Sequence, residues 1–287
     1  MLCLPALRAR RDDAAATPPA EPSEVSWRPC LSRGCRLSRC AGAVLLLLAT
    51  LAAAAADLPP HPVPNRLRVL IVTGGHGFDE EPFFAMFDRM PEILWGHAAY
   101  GGAAEKYLEP DSRKRYDVLL FYDMNQNVGP HVELLEQTLA EGKPAVFLHH
   151  AIGSYPKWTE YRDLVGGHAN FGGERIPGAP NTKFFHDVWM HVRLAEPRHP
   201  ITEGLRSFDI YDEAYKDVES APSGQILLET DYADSDRAIA WTHDYKGSRI
   251  VYLQLGHGPQ SFSHPIFETL LRRSLLWGAS RLEGGEQ

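Results

Sequence analysis

No cysteine occurs beyond residue 40 of this 287-residue chain; the four present are Cys3, Cys30, Cys35 and Cys40. From residue 41 onward a disulfide, a zinc–thiolate centre and a thiol nucleophile are therefore all excluded. Compact metal signatures are missing as well, because none of the thirteen histidines sits in an H-E-x-x-H pattern. Positive charge is in deficit, with 29 Lys and Arg against 37 Asp and Glu, which argues against nucleic acid as a partner. Beyond the N-terminal segment there is no internal repeat and no low-complexity tract. The full chain, 44% hydrophobic and 23% charged, has the composition of an ordinary globular protein.

The N-terminal segment has its own logic. Arg33, Arg36 and Arg39 precede an uncharged apolar run from Ala41 that ends in Ala54, Ala55 and Ala56, which fits an A-x-A cleavage rule. That run is short and alanine-rich against the roughly 20 apolar residues of a membrane span. Residues 1–56 are therefore expected to be an N-terminal extension and signal peptide, cleaved near Asp57, with export to the periplasm or outside and no membrane attachment afterwards. An uncleaved anchor is the other reading. All four cysteines precede that point and all thirteen histidines follow it. Residues 1–56 carry seven arginines, no lysine and four acidic side chains, so the remainder has 22 basic and 33 acidic residues and a net charge of −11. Pro59, Pro60, Pro62 and Pro64 make 57–66 a stiff linker.

From Leu67 strand and helix signals alternate. "LRVLIVT" (67–73), "YDVLLFYD" (116–123) and "PAVFLHH" (144–150) are near-continuous apolar strands. A helix carrying Phe83, Phe84 and Phe87 lies between the first two. Another, with Val132, Leu135 and Leu139 on one face, ends at Gly142 as a C′ residue. Shorter strands are expected at 188–194, 225–230 and 237–242, a last buried strand at 248–256, and a closing helix over 263–277. Residues 166–187, rich in glycine and proline, read as a long functional loop. The pattern predicts an α/β domain over 67–280 with a mostly parallel sheet, strands at 67–73, 116–122 and 144–149 as parallel neighbours, helices on both faces and a short tail at 281–287.

Ligands bind at the C-terminal strand ends of such sheets. His76 follows the first strand, His149 and His150 end the third, and His257 follows the last, so three strand ends deliver imidazole to one edge. Asp123 ends the second strand, and "DIYDEAY" places Asp212 and Glu213 among tyrosines after a short strand. Imidazoles with a carboxylate suit a first-row divalent metal, for which His76, His149 and His257 are candidate ligands, and suit metal-free acid–base chemistry equally. Tyr155, Trp158, Tyr161, Phe171, Tyr211, Tyr215 and Trp241 crowd the same region. Aromatic faces rimmed by polar groups fit sugar rings, although ordinary core filling explains Trp241 as well.

"FLHHAIGSYPKWTEYRDLVGG", "HPITEGLRSFDIYDEAY" and "IVYLQLGHGPQSF", with the opening "TGGHGF", resemble the ThuA-like, or trehalose-utilisation, family over about residues 67–279. The resemblance implies a single-domain three-layer sandwich of the class I glutamine amidotransferase-like type, with flavodoxin-like topology. In amidotransferases of that fold a cysteine stands on a strand–turn elbow and a histidine follows a later strand. Here His149 takes the elbow and His257 the later position, while "HGPQ" lacks the following acid, so thiol chemistry is excluded.

The expectation is an exported protein of carbohydrate catabolism, trehalose or keto-sugar in type. His149, His257, Glu213 and Asp123 would act catalytically, and His76, His150, Tyr155, Trp158 and Tyr215 would bind substrate. Isomerisation, elimination and hydrolysis stay open, as do a non-catalytic sugar-binding module, a degenerate amidotransferase-fold scaffold and a homo-oligomer. Replacing His149 or His257 is expected to cost function but little stability, since pocket histidines pack less tightly than core residues.

Overall fold

The computed structural model describes residues 65–101, 103–127, 129–172, 178–220 and 224–282. The expected leader at 1–56, most of the linker at 57–66 and the end of the tail lie outside the described residues. Among those described, no helix is long and apolar enough to cross a membrane.

β1 (Leu67–Gly74) shows why the sheet is two-sided. Its alternate residues Val69 and Ile71 enter one hydrophobic cluster, and Leu70 and Val72 enter another. Full burial of each such side chain contributes about 1.5–3 kcal/mol. α1 (Glu80–Asp88) places Phe83, Met86 and Phe87 in the first cluster, with Glu80 and Glu81 in its first turn, where the helix dipole favours acids. β2 (Ile93–Ala99), α2 (Ala103–Leu108), β3 (Val118–Asp123), α3 (His131–Ala140) and β4 (Ala145–Leu148) follow. α2 and α3 cover the second cluster with Tyr107, Leu108, Leu135 and Leu139. The chain leaves α3 through Gly142 in the left-handed region, φ +82°, as its C′ position requires.

α4 (Tyr161–Val165) and β5 (Gly167–His168) come next, then the hairpin of β6 (Lys183–Leu194) and β7 (Phe208–Lys216). β8 (Glu219–Ser220), β9 (Gln225–Thr230), β10 (Ala238–Tyr245), β11 (Ser248–Leu253) and α5 (Pro259–Phe262) precede α6 (Pro265–Gly278). His264 caps α6 by accepting the Phe267 N–H, and Pro265 occupies the first helical position.

The main sheet has nine strands in the order β2-β1-β3-β4-β11-β10-β9-β6-β7. β1, β3 and β4 are parallel neighbours, as their apolar runs predict. The first five strands are parallel in the flavodoxin-like order. The remaining four are antiparallel to their neighbours, so the sheet is parallel over one half only.

Three expectations need correction. β2 was not anticipated: Gly96 and His97 interrupt its apolar run, and its place at the sheet edge beside β1 relaxes the need for a strong β signal. The long loop ends earlier than expected because β6 begins at Lys183. Asp212 and Glu213 lie within β7, not after a short strand. β6 pairs with β9 only through Val192–Leu194, which leaves the Lys183–Phe185 end, paired with Ala214–Lys216 of β7, to reach the strand-end loops.

Candidate functional site

The site forms where the loops after β1, β4 and β11 meet the β6–β7 hairpin. Gly75, at φ +78°, lets the loop after β1 pass the loop after β3, since a Cβ there would stand 2.2 Å from the Met124 carbonyl oxygen. This sets His76 at the cleft. β4 ends at Leu148, and His149, at φ +55°, opens a 3₁₀ turn over His149–Gly153. A non-glycine residue in that region costs about 1–3 kcal/mol, and such strain collects where a side chain must be aimed. The loop after β11 is pinned by Asp212, whose carboxylate accepts the Gly256 N–H at 2.8 Å and the His257 N–H at 2.9 Å.

These elements enclose a cleft of about 280 Å³ lined by His76, Met124, His149, His150, Phe171, Phe184, His186, Glu213, Tyr215 and His257. At its base His149 is 1% exposed, and its Nδ1 donates to the Gln254 carbonyl at 2.6 Å. Its Nε2 therefore faces the cleft, 2.9 Å from Glu213 Oε2, 2.9 Å from the Tyr215 hydroxyl and 3.2 Å from His257 Nδ1. Glu213 Oε2 lies 3.2 Å from His257 Nδ1 and accepts the Tyr215 hydroxyl at 3.1 Å. The other carboxylate oxygen, Oε1, is 3.0 Å from His186 Nδ1. Rings continue along both sides: His76 on His150 at 4.5 Å, and His186 on His257 at 4.8 Å.

Electrostatics follow from this packing. Burial pushes the Glu213 carboxyl up, but hydrogen bonds to His149 and His257 outweigh it and hold the group well below the usual carboxylate range. The Glu213 hydrogen bond raises His257 above the ordinary imidazole value, against partial burial. Burial, with His149 nearby, drives His150 well below it, and burial also lowers His76. At neutral pH the cleft holds an ionised carboxylate among imidazoles of differing basicity, the condition for moving protons in either direction. Among the described residues, His149, Glu213 and His257 are the histidine, cysteine and acidic side chains close enough together to share a metal ion.

The structure thus brings together six of the expected residues: His76, His149, His150, Glu213, Tyr215 and His257. Three others are elsewhere. Asp123 is fully buried, hydrogen-bonded through Oδ2 to Ser154 Oγ, and does not line the cleft. Tyr155 and Trp158 pack into the cluster beneath α2 and α3, where apolar burial outcompetes exposure as a sugar platform. The proposed metal ligand His76 stands outside the donor group, and Glu213 is in it. His149 is also too deeply buried, with both nitrogens in contact, for its removal to cost little stability; the expectation suits half-buried His257 better.

His186, Phe184 and Met124 were not foreseen. Phe184 and His186 are two residues apart on β6, so one face of that strand delivers both. "KFFHDVW" shows no regular alternation, because the strand shifts register between Phe185 and Val188, and it lay in a segment read as loop.

The site thus sits on a half-parallel α/β sheet with a histidine on its strand–turn elbow and no cysteine among the described residues. The profile of the ThuA family, described as trehalose utilisation, matches residues 68–278, and the chain belongs to that family. A ThuA-like protein from Parabacteroides merdae is similar in structure, with TM-score 0.62 and 16% identity over 77% of this chain and 92% of that one. One from Bacteroides uniformis has TM-score 0.59 and 19% identity over 79% and 97%. The cytoplasmic protein STM3548 from Salmonella typhimurium has TM-score 0.52 and 12% identity over 74% and 98%. At these identities the likeness is one of fold. No curated protein matches the chain.

Proposed function

We propose that the cleft binds a carbohydrate or keto-sugar and performs acid–base chemistry on it in sugar catabolism. The observation that carries this reading is the convergence of His149, Glu213 and His257 at the base of a cleft whose sides are aromatic. A volume of about 280 Å³ suits one sugar ring. Phe171 and Phe184 offer apolar faces for C–H groups, while the imidazoles and Tyr215 offer hydrogen bonds to hydroxyl or carbonyl oxygens. Glu213, kept ionised, serves as base or orients an imidazole, and His257, the more basic imidazole, serves as acid. The family's description as trehalose utilisation supports the substrate class.

Calorimetry with trehalose, glucose and their 3-keto derivatives tests the reading, with product analysis by NMR. At least one sugar should bind and be converted. Phe184→Ala should weaken binding about tenfold, the scale of one aromatic contact, with unchanged melting because Phe184 is 49% exposed. Binding without conversion would make the protein a sugar-binding module, and no binding by any of these sugars would refute the substrate class.

Export belongs to the same proposal, resting on the basic, apolar and small-residue order of residues 33–56. Material recovered outside the cytoplasm should begin near Asp57 by N-terminal sequencing. A full-length form in the cytoplasm or held in the membrane would refute it.

A further inference from the structure

We infer that His149 Nε2, Glu213 Oε2 and His257 Nδ1 bind a first-row divalent cation. Whichever sugar the cleft takes, and with Glu213 and His257 then serving as ligands rather than as free base and acid, the base of the cleft sets acceptors against one another. Because Nδ1 of His149 donates to the Gln254 carbonyl, Nε2 of the neutral ring is a bare lone pair. It faces Glu213 Oε2, another acceptor, at 2.9 Å. The Tyr215 hydroxyl lies within reach of both but has one proton to give. His257 Nδ1 stands 3.2 Å from each of the two acceptors. A proton on His149, with the His257 Nδ1–H turned to Glu213, still leaves the 3.2 Å His149–His257 edge unmet, whereas a cation satisfies all three.

The dimensions agree. Edges of 2.9, 3.2 and 3.2 Å put each donor atom roughly 1.8 Å from the centre. An ion about 1 Å above the plane would then lie about 2.0–2.2 Å from all three, the bond lengths of zinc to imidazole and carboxylate. Two imidazoles and one carboxylate favour first-row ions over the all-oxygen sites of Ca²⁺ or Mg²⁺, and leave coordination positions open to water or substrate.

Each donor is also held from behind, as metal ligands are. The Gln254 carbonyl orients His149, His186 holds the second oxygen of Glu213, and Asp212 clamps the backbone of His257. A further sign comes from the same cleft. His150 is 3% exposed, lines the cavity, and its Nε2 has no hydrogen-bond partner. Such a buried nitrogen is suited to a ligand or to water carried by an ion.

The test uses the full chain, stripped with a chelator and titrated with Zn²⁺, Co²⁺ and Mn²⁺ by calorimetry, with the Co²⁺ visible spectrum reporting coordination. One equivalent of at least one ion should bind with Kd of micromolar or below. Glu213→Gln and His257→Ala should each weaken it at least 100-fold, and circular dichroism and melting should show both variants folded. His191→Ala, whose imidazole pairs with exposed Asp209 on the surface, should bind as the parent does. No stoichiometric binding of any of the three ions would overturn the inference, as would binding undiminished in the two folded cleft variants. Metal binding without sugar binding would leave the inference standing while refuting the carbohydrate reading.

Discussion

Glu213→Gln is expected to lower turnover of the preferred sugar by 10²–10⁴-fold, the usual contribution of a positioned acid or base, while leaving the melting temperature nearly unchanged. The substitution keeps the volume of a side chain that is 4% exposed. A glutamine amide can donate to the bare Nε2 of His149 and accept from His186, so these two contacts of the wall survive while the acceptor for His257 and the Tyr215 hydroxyl is lost. What disappears is negative charge at the point where three imidazoles converge. Glu213→Ala, by contrast, strips an acceptor from His186, His257 and the Tyr215 hydroxyl together, and should cost about 1–3 kcal/mol of stability. A purely structural Glu213 would show the opposite pattern: activity retained in the glutamine variant, and loss in the alanine variant only in proportion to unfolding. Kinetics and thermal melts on both variants separate the two roles.

The parts of the molecule legible in the sequence were those where one chemical signal dominates. β1, β3 and β4 are buried on both faces and read as unbroken apolar runs, so their existence and parallel pairing could be stated from sequence. His76, His149 and His257 were found by a topological argument, because parallel strand ends of one polarity share an edge. Glu213 and Tyr215 came from a dense acidic and aromatic stretch, although their true carrier is an antiparallel hairpin from the far flank of the sheet. That flank was the illegible part. β6 is exposed or half-buried along its first half, shifts register against β7 between Phe185 and Val188, and places Asp187 at φ +59°. Such irregularity looks like loop in a one-dimensional reading, and it concealed Phe184 and His186. Asp123 failed for a different reason. A strand-end carboxylate looks catalytic in sequence, but whether it turns toward the cleft or into the protein depends on the loop after it, and here the chain folds Ser154 back onto it.

Asp123→Asn is expected to stabilise the protein above pH 7 and to leave it nearly unchanged at pH 4. Asp123 is completely buried; Oδ2 has the Ser154 hydroxyl at 3.1 Å, and Oδ1 has no partner. Burial raises its pKa from 3.8 to about 7, against the opposing hydrogen bonds from Ser154 and the Asn125 backbone. In the unfolded chain the group ionises near 3.8, so between that value and about 7 the native state binds the extra proton. Stability therefore falls as pH rises through this window. A shift of about three units corresponds to roughly 4 kcal/mol at about 1.4 kcal/mol per unit, as an order of magnitude. Asparagine has the same shape and no charge to bury, so the penalty vanishes while the Ser154 contact can remain. Tyr100, Tyr155 and Tyr161, which couple to Asp123, are raised well above their ordinary value by burial and stay neutral throughout. Nearby His131 and His168 titrate in both proteins and drop out of the difference. Urea unfolding of the two proteins at pH 4, 6 and 8 should show the asparagine variant gaining progressively over the parent. A difference independent of pH would mean that Asp123 ionises near its ordinary value in the fold, and that the polar groups around it solvate the anion well enough to offset burial.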